Sequence, residues 1–182
     1  MNCRYNIALV ANTCTNTVIS YAKNFTDIAD KYLLSNASLP HVTLHQFDAN
    51  NDELSNIIAK LESSNVTKSL ELEFENFSCI TFGNNIFWAS LLPNKINEII
   101  SLHVDIANLL KMPIKKSFDP HMTLMSTKEC RYEEKVNSLK KIYKPIKDEF
   151  TLTIGHSDEI GQYLKVIQLF EDNCSPKLQK RK

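Results

Sequence analysis

A short motif occurs twice in this chain of 182 residues, and the repeat constrains the fold more than any other feature. Residues 40–44 read PHVTL and residues 120–124 read PHMTL, so the second histidine follows the first by 80 positions (121 minus 41). Predicted strands and helices recur in the same order around both copies. A repeat in sequence and in element order favours two pseudo-symmetric lobes, each strand-helix-strand-helix-strand-strand.

Hydrophobic periodicity supplies the elements of this repeat. Alternating residues predict strands at 5–10, 41–47, 86–92, 121–127, 149–155 and 163–170, and one or two strands at 69–82 around a bend near Glu75 and Asn76. Helical stripes predict helices at 15–34, 51–64, 96–110 and 136–146. We expect a turn at 83–85, lobe one at about 1–83, lobe two at about 84–174, and a disordered basic tail at 175–182.

The composition excludes several classes of protein. No linker rich in proline, glycine or serine separates the lobes, so we expect one domain, 1–174, with a cleft between them. The 21 basic and 21 acidic residues cancel, which removes the positive field needed for non-specific binding to nucleic acid. Five dispersed cysteines without a CxxC pair favour reduced thiols in the cytoplasm, and no apolar stretch is long enough to span a membrane.

Each copy of the motif places a histidine and a threonine two residues apart in a strand, and therefore on one face. If the lobes meet across a pseudo-two-fold axis, His41, Thr43, His121 and Thr123 converge on one small volume. Hydroxyl groups and a protonated imidazole donate hydrogen bonds to phosphate oxygens, while a neutral imidazole accepts a proton. Two histidines are enough for general acid-base hydrolysis of a phosphodiester, and such a reaction needs no metal or other cofactor.

His45 continues the alternation of His41 and Thr43, which predicts a place on the same face of the strand. A metal bound by His41 and His45 is excluded, because four residues of strand span about 13 Å. The counterpart of His45 in lobe two is Met125, so the symmetry does not require His45. We expect it deeper in the cleft or on its wall, in a structural or substrate-contact role. His103, on the apolar stripe of its helix, is interpreted as a packed histidine.

The paired HxT motifs, about eighty residues apart, resemble those of the 2H phosphoesterase superfamily. This superfamily includes bacterial 2′-5′ RNA ligase proteins, eukaryotic 2′,3′-cyclic nucleotide phosphodiesterases and oligoadenylate phosphodiesterases. The resemblance implies a bilobal α+β fold with antiparallel sheets lining a central cleft. It also implies metal-independent hydrolysis of a phosphodiester in an RNA end or a small nucleotide, commonly the opening of a 2′,3′-cyclic phosphate to a 2′-phosphate. Four residues carry over: His41, Thr43, His121 and Thr123.

The sequence departs from the family where many bacterial members carry a basic residue shortly after the second motif. Here Met125, Ser126 and Thr127 follow, and the pair Lys115 and Lys116 before the motif is either a substitute charge or a solvated loop. Aromatic faces suit the stacking of a base. The predicted substrate-contact residues are Phe118, His45, Trp88, Lys116 and Tyr163.

These expectations define a monomeric cytoplasmic phosphodiesterase with no membrane or metal partner. Three other enzymes could use the same fold and site: an RNA 3′-end exonuclease, an oligoadenylate phosphodiesterase and a reversible 2′,5′ RNA ligase. A non-catalytic protein that binds RNA ends or nucleotides is the alternative from a different class.

Overall fold

Antiparallel strands dominate the computed structural model, which describes residues 2–82 and 85–171. The turn predicted at Gly83 and Asn84 and the basic tail predicted at 175–182 lie outside this part of the chain. The strands of the described part are β1 (Cys3–Ala11), β2 (His41–Ala49), β3 (Ser69–Phe82), β4 (Ile86–Pro93), β5 (Met122–Thr127), β6 (Ile146–Ser157) and β7 (Tyr163–Leu169). Its α-helices are α1 (Thr15–Ala22), α2 (Asn51–Ser63), α3 (Ile96–Leu110) and α4 (Tyr132–Lys140).

The described strands form one sheet, ordered β2-β1-β6-β3-β4-β5, with β7 paired to β6. The order is palindromic about the central β6-β3 pair, because β2, β1 and β6 on one side correspond to β5, β4 and β3 on the other. The α+β class and the duplicated lobes are therefore confirmed. The sheet runs through both lobes, whereas the resemblance implied separate sheets. The two motif strands end up at opposite ends of the strand order.

The third strand of each repeat pairs with strands of the other repeat. Residues 69–74 of β3 pair with β6, and residues 76–82 continue along β4; the register shifts at Glu75, where the sequence predicted a bend. β6 in turn pairs with β1. This exchange gives β1 a hydrogen-bonded neighbour on each edge. Both of its faces are also buried, Tyr5, Ile7 and Leu9 in the main core and Ala8 and Val10 against Tyr163, which explains the unbroken buried run at 5–11.

The helices follow the same exchange. Helix α1 of the first repeat contacts β5 of the second, and α3 of the second repeat contacts β2 of the first. Helix α2 also contacts β2, and it begins at a capping box in which Asn50 and Glu53 exchange side-chain and backbone hydrogen bonds. Each motif strand is therefore covered by a helix from the opposite repeat. No helix of the described chain is long and apolar enough to cross a membrane.

The helix predicted over 15–34 is too long. Helix α1 ends at Ala22, a 3-10 turn follows at Lys23–Phe25, and residues 30–34 instead run along the edge of β5. The N–H of Leu34 donates to the carbonyl of Leu124 at 2.9 Å, and that of Asp30 donates to Ser126 at 2.8 Å. The stretch beyond Ala22 contains asparagine, threonine and aspartate, which compete for backbone hydrogen bonds and disfavour a helix interior. Its apolar residues are buried by pairing with a strand.

Candidate active site

The two motif strands face one cavity, of about 530 Å³, between the lobes. Although β2 and β5 lie at opposite ends of the strand order, the sheet brings them into contact. His41, Thr43, His121 and Thr123 all line this cavity, so the residues expected to converge are brought together. The remaining lining residues are Tyr32, Gln46, Ile80, Trp88, Lys115, Ser117, Phe118, Asp119, Ile160 and Gly161.

The two imidazoles are held by equivalent hydrogen bonds. Nδ1 of His41 lies 2.7 Å from the carbonyl oxygen of Leu39, and Nδ1 of His121 lies 2.8 Å from that of Asp119. A carbonyl oxygen can only accept, so in each ring Nδ1 carries the hydrogen. The Nε2 atom of each neutral imidazole is then the one with a free lone pair.

The proline before each histidine explains this shared geometry. Pro40 and Pro120 separate each histidine from the carbonyl that it contacts, two residues back. Proline fixes its own φ and favours an extended preceding residue. The proline therefore restricts the backbone at the point where the carbonyl turns back to the ring. The prolines are visible in the sequence, but the hydrogen bonds they support were not predicted.

A β-bulge corrects the predicted position of His45. In β2 the register passes from Ile7 opposite His45 to Ala8 opposite Thr43, which leaves Leu44 as the extra residue. Beyond a bulge the alternation reverses, so Gln46, and not His45, continues the cavity face with His41 and Thr43. His45 is buried away from the cavity, and its ring stacks on His103 at 4.2 Å.

The second motif carries the same bulge. In β5 the register passes from Ala89 opposite Met125 to Ser90 opposite Thr123, which leaves Leu124 unpaired. The bulged leucines occupy equivalent points of the repeat, so the bulge belongs to the duplicated motif. A sequence without its strand partners gives no sign of it, because a bulge is defined by pairing with the neighbouring strand.

His41 and His121 differ in their surroundings. His41 is only 5% exposed, whereas His121 is half-buried. The ring of Tyr163 packs on His41 with centroids 5.2 Å apart, and the backbone of Gly161 lies within hydrogen-bonding reach of the imidazole. Burial is the main cause that lowers the pKa of His41 to about 4; nearby His121 acts in the same direction, and hydrogen bonds with the backbone of Leu39 and Gly161 oppose it in part. His41 is therefore neutral near pH 7.

Tyr163 supports His41 and does not line the cavity, so it does not contact substrate there as the sequence predicted. Its side chain is fully buried, its hydroxyl lies 2.7 Å from that of Thr153, and its carbonyl accepts from the N–H of Leu39 at 2.9 Å. A Cβ at Gly155 would lie 2.4 Å from the Tyr163 ring, so only glycine leaves room for it. The contacts of Tyr163 therefore reach both the ring of His41 and the residue that anchors its Nδ1.

Of the other predicted substrate-contact residues, Trp88 and Phe118 line the cavity. Lys116 does not line it, and its neighbour Lys115 does, so the positive charge expected before the second motif comes from the adjacent position. Trp88 also packs against Tyr32, with ring centroids 5.7 Å apart, at an aromatic end of the cavity.

Sequence reasoning missed the cavity residues of the turn between β6 and β7. Gly161 has φ of +88°, and a Cβ there would come within 3.1 Å of Gln46. The side chain of Asp158 accepts from the N–H groups of Ile160 and Gln162 and fixes this turn. A glycine after Asp-Glu-Ile is the one local signal of a turn with positive φ.

Within the described residues, no group of three or more histidine, cysteine, aspartate or glutamate side chains is placed to hold a metal ion. The four cysteines of that part of the chain are Cys3, Cys14, Cys79 and Cys130, and all four are free thiols.

The fold is similar to that of several solved structures, one of which is described as a phosphoesterase. Escherichia coli LigT complexed with 3′-AMP matches with a TM-score of 0.60 at 12% identity, covering 94% of this chain and 97% of LigT. The complex of E. coli LigT with phosphate matches at 0.54 and 12% identity, covering 94% and 99%. A structure described as a phosphoesterase matches at 0.54 and 11% identity, covering 94% and 100%. A comparison with curated proteins gave no significant match.

The duplicated α+β fold, the two HxT strands that face one cleft and the match to a family model together identify the class as the 2H phosphoesterases. A sequence model described as the 2′-5′ RNA ligase superfamily matches residues 27–156, which is more than half of the chain. The chain belongs to this family.

Proposed function

We propose that the chain is a two-histidine phosphodiesterase that opens a 2′,3′-cyclic phosphate, or cleaves a 2′,5′-linked phosphodiester, at an RNA end or in a small nucleotide. The observation that carries the proposal is the equivalent placement of His41 and His121. Both line one cavity, and both hold Nδ1–H on a backbone carbonyl, which leaves each Nε2 for proton transfer. Family membership and the phosphoesterase-like fold support the same class of reaction.

In this proposal His41 is the base. Its pKa of about 4 leaves Nε2 unprotonated near neutral pH, so it can accept a proton from the attacking water as oxygen bonds to phosphorus. His121 is the acid, and it donates an Nε2 proton to the ribose oxygen as the P–O bond breaks. The product is a phosphomonoester, which for a 2′,3′-cyclic phosphate with O3′ leaving is a 2′-phosphate. The proton gained by His41 then returns to His121 through solvent.

The other cavity residues suit a nucleotide phosphate. The hydroxyl groups of Thr43 and Thr123 can donate to the non-bridging oxygens, and Lys115 adds a positive charge. A cavity of about 530 Å³ lies within the usual range for small-molecule sites, roughly 300–1,000 Å³, and suits one nucleotide or a chain end. Trp88 and Phe118 offer faces on which a base can stack. LigT has been crystallised with 3′-AMP, with ATP and with phosphate, which supports this ligand class.

The test is hydrolysis of adenosine 2′,3′-cyclic phosphate in the presence of EDTA. His41→Ala and His121→Ala should each lower kcat by about 10² to 10⁴, the usual value of one proton transfer. The matched control is His156→Ala, because His156 packs on Tyr5 at 5.1 Å and does not line the cavity. Full activity in either motif variant would refute the assignment. Loss of wild-type activity on chelation would refute metal independence.

The alternatives are separated by a substrate panel. A 2′,5′-linked dinucleotide, a 3′-tailed RNA and two RNA ends joinable by a 2′,5′ bond, each tested with and without ATP, distinguish diesterase, exonuclease and ligase. If the chain is a non-catalytic binder, adenosine 3′-monophosphate should still quench the fluorescence of Trp88, the single tryptophan. None of these substrates would then be turned over at any pH.

A further inference from the structure

The two bulged leucines expose their carbonyl groups in the same way, but the chain satisfies them differently. In β5 the carbonyl of Leu124 accepts from the backbone N–H of Leu34 at 2.9 Å, because residues 30–34 run along that edge. In β2 the carbonyl of Leu44 accepts from Nδ1 of His103 at 3.0 Å. In the first motif a side chain of helix α3 therefore donates the hydrogen bond that a backbone N–H donates in the second.

His103 lies in the middle of a stack of three rings. His45 packs on one face with centroids 4.2 Å apart and planes 15° from parallel, and Phe118 packs on the other at 4.1 Å and 13°. We call His45, His103 and Phe118 the ring stack. It joins β2, α3 and the loop that precedes the second motif. Phe118 is the member that lines the cavity.

The hydrogen bonds of His103 require a histidine with one particular tautomer. Because the carbonyl of Leu44 only accepts, Nδ1 must carry the hydrogen, and Nε2 then accepts from the backbone N–H of Lys115 at 3.3 Å. The carbonyl of His103 accepts from Nε2 of His45 at 2.9 Å. His103 is 1% exposed, so each of these groups would be costly to leave unpaired.

The loop at 112–120 depends on these contacts for its position. Its backbone–backbone hydrogen bonds to the rest of the described chain are confined to the end of α3, where Met112 N–H donates to Ala107 at 2.9 Å. The corresponding segment at 30–34 is held along β5 by a ladder of backbone bonds. His103 contacts the 112–120 loop through one hydrogen bond from the backbone N–H of Lys115 and one ring contact with Phe118, while Met112 and Phe118 also pack against the main hydrophobic core.

We propose that His103, supported by His45, is a positioning residue that fixes the 112–120 loop against β2 and so sets where Phe118 and Lys115 stand in the cavity. The proposal rests on the proposed function only where it takes Phe118 and Lys115 to contact the substrate. It also accounts for the asymmetry at the position after the bulge. His45 supports His103, whereas Met125 pairs with the backbone of residues 30–34 and supports no ring of this kind.

The structural part is tested by amide hydrogen exchange at Lys115, followed by NMR on the whole chain. His103→Phe keeps a ring in the stack and removes both hydrogen bonds, so exchange at Lys115 should accelerate about tenfold, equivalent to one hydrogen bond of about 1.4 kcal/mol. His156→Phe is the matched control and should leave Lys115 unchanged. If His103→Phe fails to fold, His45→Met decides. It introduces the residue found at the mirror position and should accelerate the same amide severalfold.

The functional part is tested with adenosine 2′,3′-cyclic phosphate. Displacing Phe118 and Lys115 weakens binding, so His103→Phe should raise KM about tenfold, while kcat falls less than about threefold because Pro120 and β5 still hold His121. His103→Gln retains a group that can accept a hydrogen bond from the N–H of Lys115, so its KM should lie between those of the wild type and His103→Phe.

Three outcomes are distinct. If the wild type hydrolyses none of the phosphodiesters, the proposed function fails, and the Lys115 amide still decides whether His103 fixes the loop. If the wild type is active but the His103 and His45 variants leave both the Lys115 amide and KM at control values, the positioning role is wrong. A fall in kcat with KM unchanged would also overturn it.

Discussion

Lowering the pH from 7 to 5 tests whether His41 is the base. With a pKa of about 4, about 90% of its imidazole stays unprotonated at pH 5, whereas a histidine at the ordinary value near 6.5 would keep about 3%. If His41 accepts the proton, kcat/KM should fall by less than about twofold between pH 7 and pH 5. A solvated histidine base would lose about 25-fold over the same interval.

The pH profile alone does not say which histidine is which, because two interacting groups titrate as a pair. A change of leaving group separates the roles. A ribose oxygen leaves only when it is protonated, but p-nitrophenolate leaves a diester without a proton. His121→Ala should therefore lose about 10² or more on the cyclic phosphate and much less on a nucleoside p-nitrophenyl phosphodiester. His41→Ala should lose heavily on both, and His156→Ala on neither.

Two results would refute this reasoning. One is an acid limb of kcat/KM centred near pH 6.5 while circular dichroism shows the protein folded, since burial would then not set the working pKa of His41. The other is rescue of His41→Ala, and not of His121→Ala, by the p-nitrophenyl ester. That result would reverse the two roles and place the acid in the buried position.

Two further predictions concern stability. Burial lowers the pKa of His41 and of His45 to about 4 and also lowers that of His103, so between pH 6.5 and pH 4 the unfolded chain binds protons that the folded chain does not. The free energy of unfolding, measured by urea titration, should therefore fall from pH 7 to pH 5 by about 2 kcal/mol for each of His41 and His45. His45→Met should make the free energy of unfolding depend less on pH. Equal stability at both pH values would contradict this prediction. Gly155→Ala should destabilise the fold by about 2 kcal/mol or more, because the added Cβ would lie 2.4 Å from both the backbone carbonyl oxygen of Lys165 and the Tyr163 ring. Displacement of that ring from His41 should also lower kcat, and unchanged thermal unfolding and kcat would contradict this prediction.

The sequence was most informative where the chemistry is local and repeated. Two copies of a proline-histidine-x-threonine strand, 80 residues apart, predicted a duplicated α+β fold with one cleft, and the fold class is confirmed. Helices α2 and α3 were predicted for the same reason, since their apolar stripes are continuous over several turns. A signal of this kind depends on residues close in the chain, and no distant partner is needed to read it.

The features that could not be predicted all depend on distant pairing. The reversal at His45 requires the bulge at Leu44, which exists only in register with β1. The end of α1 at Ala22 reflects competition from the edge of β5, about a hundred residues later, which buries the same apolar residues in extended chain. Tyr163 was expected to contact substrate because it is aromatic, but packing over Gly155 turned it against His41.

Duplication and departure from duplication have different consequences in this cleft. The repeated strand gives both histidines the same carbonyl anchor and the same free Nε2, so the motif alone makes the two groups interchangeable. An acid and a base need different proton affinities, and that difference must come from what covers each ring. The ring of the first histidine is buried against Tyr163, which belongs to the β6–β7 segment, where the two repeats are least alike. We therefore infer that the segment added to the second repeat gives the two histidines their separate roles, and with them the orientation of the substrate in the cleft.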